Sequence, residues 1–134
     1  MRVLSGLLAA SAVVSSLYAY AQSVPALYTA AQAAQGAAVF AQSCATCHGA
    51  RLEGVAAPAL KGPAFKEMAA AQSLNAQSLF AVISRSMPQD NPGSLTPAQY
   101  AALTAYILQQ NGYPAGAAEL SKDTPNLKDL NLSQ

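Results

Sequence analysis

The sequence predicts an all-α domain of three main helices and long loops, gathered around something other than its own side chains. Three observations carry that prediction. Three stretches repeat apolar residues at helical spacing behind start signals, and a proline- and glycine-rich stretch after the first of them has no period of either kind. The third is that much of an apolar content of 52% is alanine, a helix former with little volume to fill a core. From Gln22 onward, Val, Leu, Ile, Phe and Met supply only about one fifth of the residues, low for a self-sufficient small domain. A chain of 134 residues is one domain at most. Stripped of whatever fills its core, it is expected to be largely molten or unfolded.

The elements follow in order. Met1 and Arg2, an uncharged apolar stretch from Val3 to Leu17, and Ala19-Tyr20-Ala21 before Gln22 read as a signal peptide over residues 1–21, cleaved after Ala21. The alternative, an uncleaved anchor, has to accommodate Ser5, Gly6, Ser11, Ser15 and Ser16 within that stretch. Residues 22–112 then form the domain and 113–134 an extended C-terminal tail, with no membrane span after cleavage. The first helix opens at Thr29-Ala30-Ala31-Gln32, a T-x-x-Q capping box. Gly36, Phe40 and Cys44 lie four apart and share a face. Glycine inside a helix costs about 1 kcal/mol relative to alanine, so close approach of another backbone is the expected reason for Gly36. The stretch from Gly49 to Ala64 is the unpatterned loop. A second helix over roughly Asn75 to Arg85 carries Leu79, Phe80, Val82 and Ile83, with Asn75 as N-cap. The third opens at Thr96-Pro97-Ala98-Gln99 and stops at Asn111-Gly112, with Tyr100, Leu103, Tyr106 and Ile107 as a packing face. The tail, with Leu120, Leu127, Leu130 and Leu132, is expected to lie on the domain and to make a short turn near Leu127.

One motif carries chemistry. Cys44-Ala45-Thr46-Cys47-His48 is the C-x-x-C-H signature of covalent haem c attachment. On a helical turn, residues three and four apart share a face, so two thiols reach the two vinyl groups while the adjacent imidazole points at the iron. A zinc site needs about four ligands, more than this chain's cysteines and histidine supply. A thioredoxin-like pair needs a preceding strand, whereas Ala31 to Ser43 is helical in pattern. Export would place the thiols in an oxidising compartment, where a disulfide is their fate if no haem is attached. Seven Lys and Arg against six Asp and Glu, without a basic run, leave no electrostatic footprint for nucleic acid.

His48 is the chain's one histidine, so two histidine ligands from one molecule are impossible and methionine is the usual alternative. Met68 and Met87 remain after the signal is removed. Met68 stands at helical spacing, where methionine more often fills a core. Met87 precedes Pro88 in a turn-rich loop, and the proline restricts it to extended geometry suited to presenting a side chain.

On these residues the chain resembles a class I c-type cytochrome over essentially all of Thr29 to Gly112. Gly36 and Phe40, the Cys44 to His48 motif, Ala57-Pro58-Ala59-Leu60, Met87, and Leu103 with Tyr106 carry the resemblance. It implies the class I cytochrome c fold around one covalently attached haem, with the first and last helices crossing near Gly36 and Tyr106. By the same resemblance the Pro58 carbonyl accepts the proton on His48 Nδ1 and Leu60 packs on the haem plane. The stretch Ser86 to Leu95 is similar to bacterial monohaem cytochromes and to cytochrome subunits linked to periplasmic dehydrogenases.

The function expected is periplasmic one-electron carriage, with His48 and Met87 on the iron and no bonds made in a substrate. Its partners would be redox proteins, a periplasmic dehydrogenase as donor and an oxidase or another cytochrome as acceptor. A dedicated subunit of one dehydrogenase complex is the main alternative. A haem enzyme or gas-binding protein needs an open iron site or a distal acid and base, poorly supplied by one histidine. With Arg2 gone, six bases balance six acids, so docking by charge alone is not expected. An apolar contact around Ala45, Ala56 and Pro88 is expected in its place. Arg51 and Lys61 are the cations nearest the motif in sequence.

Overall fold

A computed structural model describes residues 24–134; the segment read as a signal peptide, 1–21, lies outside them. Among the described residues the regular structure is five helices and one 3-10 turn: α1 Ala30–Ser43, α2 Ala45–His48, α3 Gly62–Ala71, α4 Ala76–Ser86, α5 Pro97–Gln110, and the turn Leu127–Asp129. No strand occurs among them. The three helices expected are α1, α4 and α5. The fourth long helix, α3, begins where the unpatterned loop was expected to be ending. Pro63 in its first turn is a helix-start signal, but its buried residues are only Phe65 and Ala69, too few to make a legible stripe.

Helix α5 is the centre of the molecule. Tyr100 to Ala105, Ile107 and Leu108 are all buried, so it is covered on most sides, as an element packed by neighbours all round must be. It starts with a complete capping box. Thr96 Oγ1 accepts from Gln99 N at 3.2 Å and Gln99 Oε1 accepts from Thr96 N at 2.9 Å. At its other end Asn111 caps the helix and Gly112 turns away at φ +84°. Asn75 and Ser78 make the equivalent reciprocal box at the start of α4.

Helix α1 crosses α5 at Gly36. A Cβ built there would lie 1.9 Å from the Ala102 carbonyl oxygen and 2.8 Å from Tyr106 Cβ. The missing side chain is therefore the contact itself, as expected. One turn along, the Phe40 and Tyr106 rings meet at 5.5 Å between centroids, tilted by 53°, within the range of favourable aromatic pairs.

The opening of α1 differs from expectation in one respect. Thr29 caps it by accepting from Gln32 N at 3.1 Å, but the Gln32 side chain does not return to Thr29. Gln32 is buried, with Nε2 donating to the Leu120 carbonyl at 2.7 Å and Oε1 accepting from Leu120 N at 2.8 Å. Burial explains the switch, because both polar groups of Leu120 would otherwise be left without partners. Leu120, Leu127, Leu130 and Leu132 are buried, and the backbone bonds Ala76 N to Leu130 O at 3.0 Å and Leu132 N to Leu74 O at 3.0 Å tie the tail to the start of α4. Gln32→Leu strands both Leu120 groups and is expected to destabilise the folded protein by roughly 2 kcal/mol. Thermal unfolding followed by circular dichroism reads this directly, and an unchanged midpoint would mean that water replaces the lost side chain.

Candidate functional site

The motif sits where α1 ends. Cys44 has left helical geometry, at φ −127° and ψ −30°, yet its carbonyl accepts from Cys47 N at 3.2 Å and His48 N at 3.0 Å. The short helix α2 thus starts afresh after Cys44 and carries Cys47 and His48 on one turn. Gly49, at φ +83°, stops it, a backbone geometry that favours glycine. Its Gly54 neighbour along the loop has φ +81°, and a Cβ there would lie 2.7 Å from Ala59 N.

The unpatterned loop is ordered by the motif. The Cys47 carbonyl accepts from Val55, Ala56 and Ala57 N–H at 3.2, 3.0 and 3.0 Å, and the His48 carbonyl from Gly54 N at 2.7 Å. Leu52, fully buried, anchors the loop and bonds to Leu60 N through its carbonyl at 2.9 Å. This brings the Pro58 carbonyl to 2.8 Å from His48 Nδ1. A carbonyl can only accept, so Nδ1 holds the proton and Nε2 is the nitrogen with a free lone pair. The ring is 8% exposed. Among the described residues no hydrogen bond engages Nε2, and no buried side-chain nitrogen or oxygen lacks a partner, so Nε2 opens to the space beside the turn.

The thiols are chemically distinct. Cys47 is exposed and Cys44 half-buried, and the two are not bonded to each other. Burial, with Cys47 adding to it, pushes the Cys44 thiol up to about 11. A dithiol redox pair normally follows a strand, and this turn follows helix α1. Nor do three or more His, Cys, Asp or Glu side chains converge on one point among the described residues, as a zinc cage requires.

The other sequence-predicted residues are held by separate elements. Leu60 is half-buried against the core, and its carbonyl accepts from Asn111 Nδ2 at 2.9 Å while Asn111 Oδ1 accepts from Gly62 N at 3.2 Å. Asn111 thereby ties the end of α5 to the loop that carries Pro58, a role hidden in sequence behind its place in an Asn-Gly helix stop. Met87 ends α4 with extended backbone, φ −121° and ψ 151°. Half-buried, it makes no hydrogen bond to the Cys44 to His48 turn and is not among the residues packed against the core, whereas Met68 on α3 is. Arg51 is occupied by Glu53, which accepts its N–H at 2.7 Å and lies 3.8 Å from Nε in an exposed pair. Backbone N–H groups of Glu53 itself and of Arg51 hold that carboxyl below the usual range, with Arg51 and Lys61 charges adding less. A cleft of about 330 Å³ between α5's end and the tail, lined by Lys66, Tyr113 and Asp129 among others, includes none of the motif residues.

Two thiols and an imidazole Nε2 on one turn, the ring fixed from behind by a carbonyl, form a donor set that fits haem c: two covalent tethers and one oriented iron ligand. Comparison with known proteins agrees. The family described as cytochrome c oxidase, cbb3-type, subunit III matches residues 31–107. Among solved structures, the sulfane dehydrogenase SoxCD from Paracoccus pantotrophus is similar, with a TM-score of 0.57 and 25% identity over 74% of this chain. The match covers 52% of that chain, about half its length. No curated protein matches the sequence.

Proposed function

Since the chain belongs to the cbb3-type subunit III family, and is a class I c-type cytochrome that transfers electrons through haem c, we propose that it is a periplasmic one-electron carrier. In this reading it holds one haem, bound covalently through Cys44 and Cys47 and ligated by His48 and Met87. When bound, the haem iron supplies one-electron exchange between its ferric and ferrous forms. The observation that carries the reading is the 2.8 Å contact from the Pro58 carbonyl to His48 Nδ1, which leaves Nε2 as the iron ligand and prevents the ring from turning. Met87 is favoured over Met68 because its side chain is not used by the core. Held from two separate elements, His48 and Met87 would keep their places in both oxidation states, so the protein would reorganise little.

The deciding experiment is the optical spectrum of the exported protein, oxidised and reduced, with its pyridine haemochrome. A c-type haemochrome with the weak long-wavelength sulfur-to-iron band in the oxidised form is expected. A high-spin spectrum would move the assignment to an enzyme or gas-binding protein with an open iron.

The likeness to a sulfane dehydrogenase supports a second reading, a cytochrome dedicated to one dehydrogenase complex. Co-purification with a larger enzyme separates it from a freely diffusing carrier. In either case apolar side chains stand exposed beside the motif, Val55 being 75% exposed and Ala56 next to it exposed as well, and the exposed charges there, Arg51 and Glu53, are paired with each other. Among the described residues no helix is long and apolar enough to cross a membrane. Electron transfer to the partner is expected to change little with ionic strength, since the contact draws on apolar area more than on charge. A steep fall in stopped-flow rate with added salt would contradict that.

A further inference from the structure

The segment that carries Met87 is a loop, and loops are the parts of a fold that open most easily. Internally it has two turn bonds, Asn91 N to Pro88 O at 3.0 Å and Ser94 N to Asn91 O at 3.3 Å. Neither ties it to the rest of the molecule. Its two ends meet on one atom. The Tyr100 hydroxyl donates to the Met87 carbonyl at 2.8 Å and accepts from Leu95 N at 3.4 Å. Tyr100 itself cannot drift, because it lies in the first turns of α5, is 5% exposed and donates its N–H to Thr96 O at 3.0 Å.

We propose that Tyr100 is a positioning residue: its hydroxyl closes the loop from Met87 to Leu95 and so keeps the Met87 sulfur on the iron against competing ligands. The proposal rests on the reading of Met87 as an iron ligand. Physically, a thioether is a weak ligand whose hold depends on how little the loop gains by opening. A hydrogen bond present when the loop is closed and absent when it is open shifts that balance by its net strength, about fivefold in the equilibrium.

The test uses holoprotein and imidazole as the competing ligand of the ferric iron, followed through loss of the sulfur-to-iron band at fixed pH. Tyr100→Phe keeps the buried ring and removes the hydroxyl, and is expected to bind imidazole about fivefold more tightly than the parent. Thr104→Val removes a hydroxyl bond on the same helix that does not touch the loop, and is expected to leave imidazole affinity unchanged. Equal affinities for Tyr100→Phe and the parent would overturn the proposal, even if the thermal midpoint of the variant falls. An equal tightening in Thr104→Val would overturn it too, by showing that general loosening of α5 suffices. Parent protein that lacks the band, or that binds imidazole as tightly as Met87→Ala, would instead sink the ligand reading itself.

Discussion

Replacing Met87 by alanine in the holoprotein is expected to abolish the sulfur-to-iron band, lower the midpoint potential and open the iron to carbon monoxide and cyanide. Thioether ligation favours the ferrous form, and axial ligands tune haem potentials over roughly 0.8 V, so a fall on the order of a tenth of a volt or more is expected. Potentiometric titration with optical detection measures it. Met87 ends α4 with its backbone held at both polar groups, by Ile83 O at 3.2 Å and by the Tyr100 hydroxyl at 2.8 Å. The substitution would therefore remove the proposed ligand without removing the loop's anchors. Met68→Ala is the matched control. Its side chain packs against the core, so it is expected to lower stability and leave potential and ligand access alone. The reverse pattern would assign the iron to Met68.

Gly36→Ala is expected to destabilise the protein although alanine is the better helix former by about 1 kcal/mol. Local propensity and tertiary packing predict opposite signs here, and the distances decide between them. The new Cβ would sit 1.9 Å from the Ala102 carbonyl oxygen and 2.5 Å from its carbon. Both are backbone atoms of a helix buried on most sides, so neither can rotate away. The helices have to separate, which parts Phe40 from Tyr106 and loosens the contact on which the core is built. Overpacking of this kind costs about 1 to 3 kcal/mol, and the net loss after the propensity gain is expected to be roughly 2 kcal/mol. For a domain of this size that lowers Tm by on the order of 10 °C. Thermal unfolding of the holoprotein by circular dichroism is the measurement, and an unchanged or raised Tm would mean that the crossing is looser than it looks.

Helices α1, α4 and α5 were readable in the sequence because each opens on a capping side chain and sets the residues of one face at helical spacing. Those signals lie within a few residues of one another, so they survive without tertiary context. The Cys44 to His48 motif was readable for the same reason. Its chemistry depends on a spacing of three and four residues, which one helical turn turns into a shared face. The close approach at Gly36 was legible as an exception, since a mid-helix glycine needs a reason.

What the tertiary structure decided depends on residues far apart in the chain. Gln32 looked like the second half of a capping box, but Leu120 lies 88 residues away and takes both ends of its amide. A buried backbone pair without other partners outweighs a cap that water can satisfy. Tyr100 looked like one member of a packing face, and its hydroxyl found use only when the fold placed Met87 and Leu95 on either side of it. The loop after Gly49 has no period because its order comes from the Cys47 and His48 carbonyls and from buried Leu52, not from a repeat. Composition, caps and one motif thus determined the fold class and the cofactor chemistry. Pro58 as the partner of His48 came with the resemblance, whereas the folded chain decided which groups hold Gln32 and the Met87 carbonyl, because a hydrogen bond between distant residues leaves no pattern in the sequence that forms it.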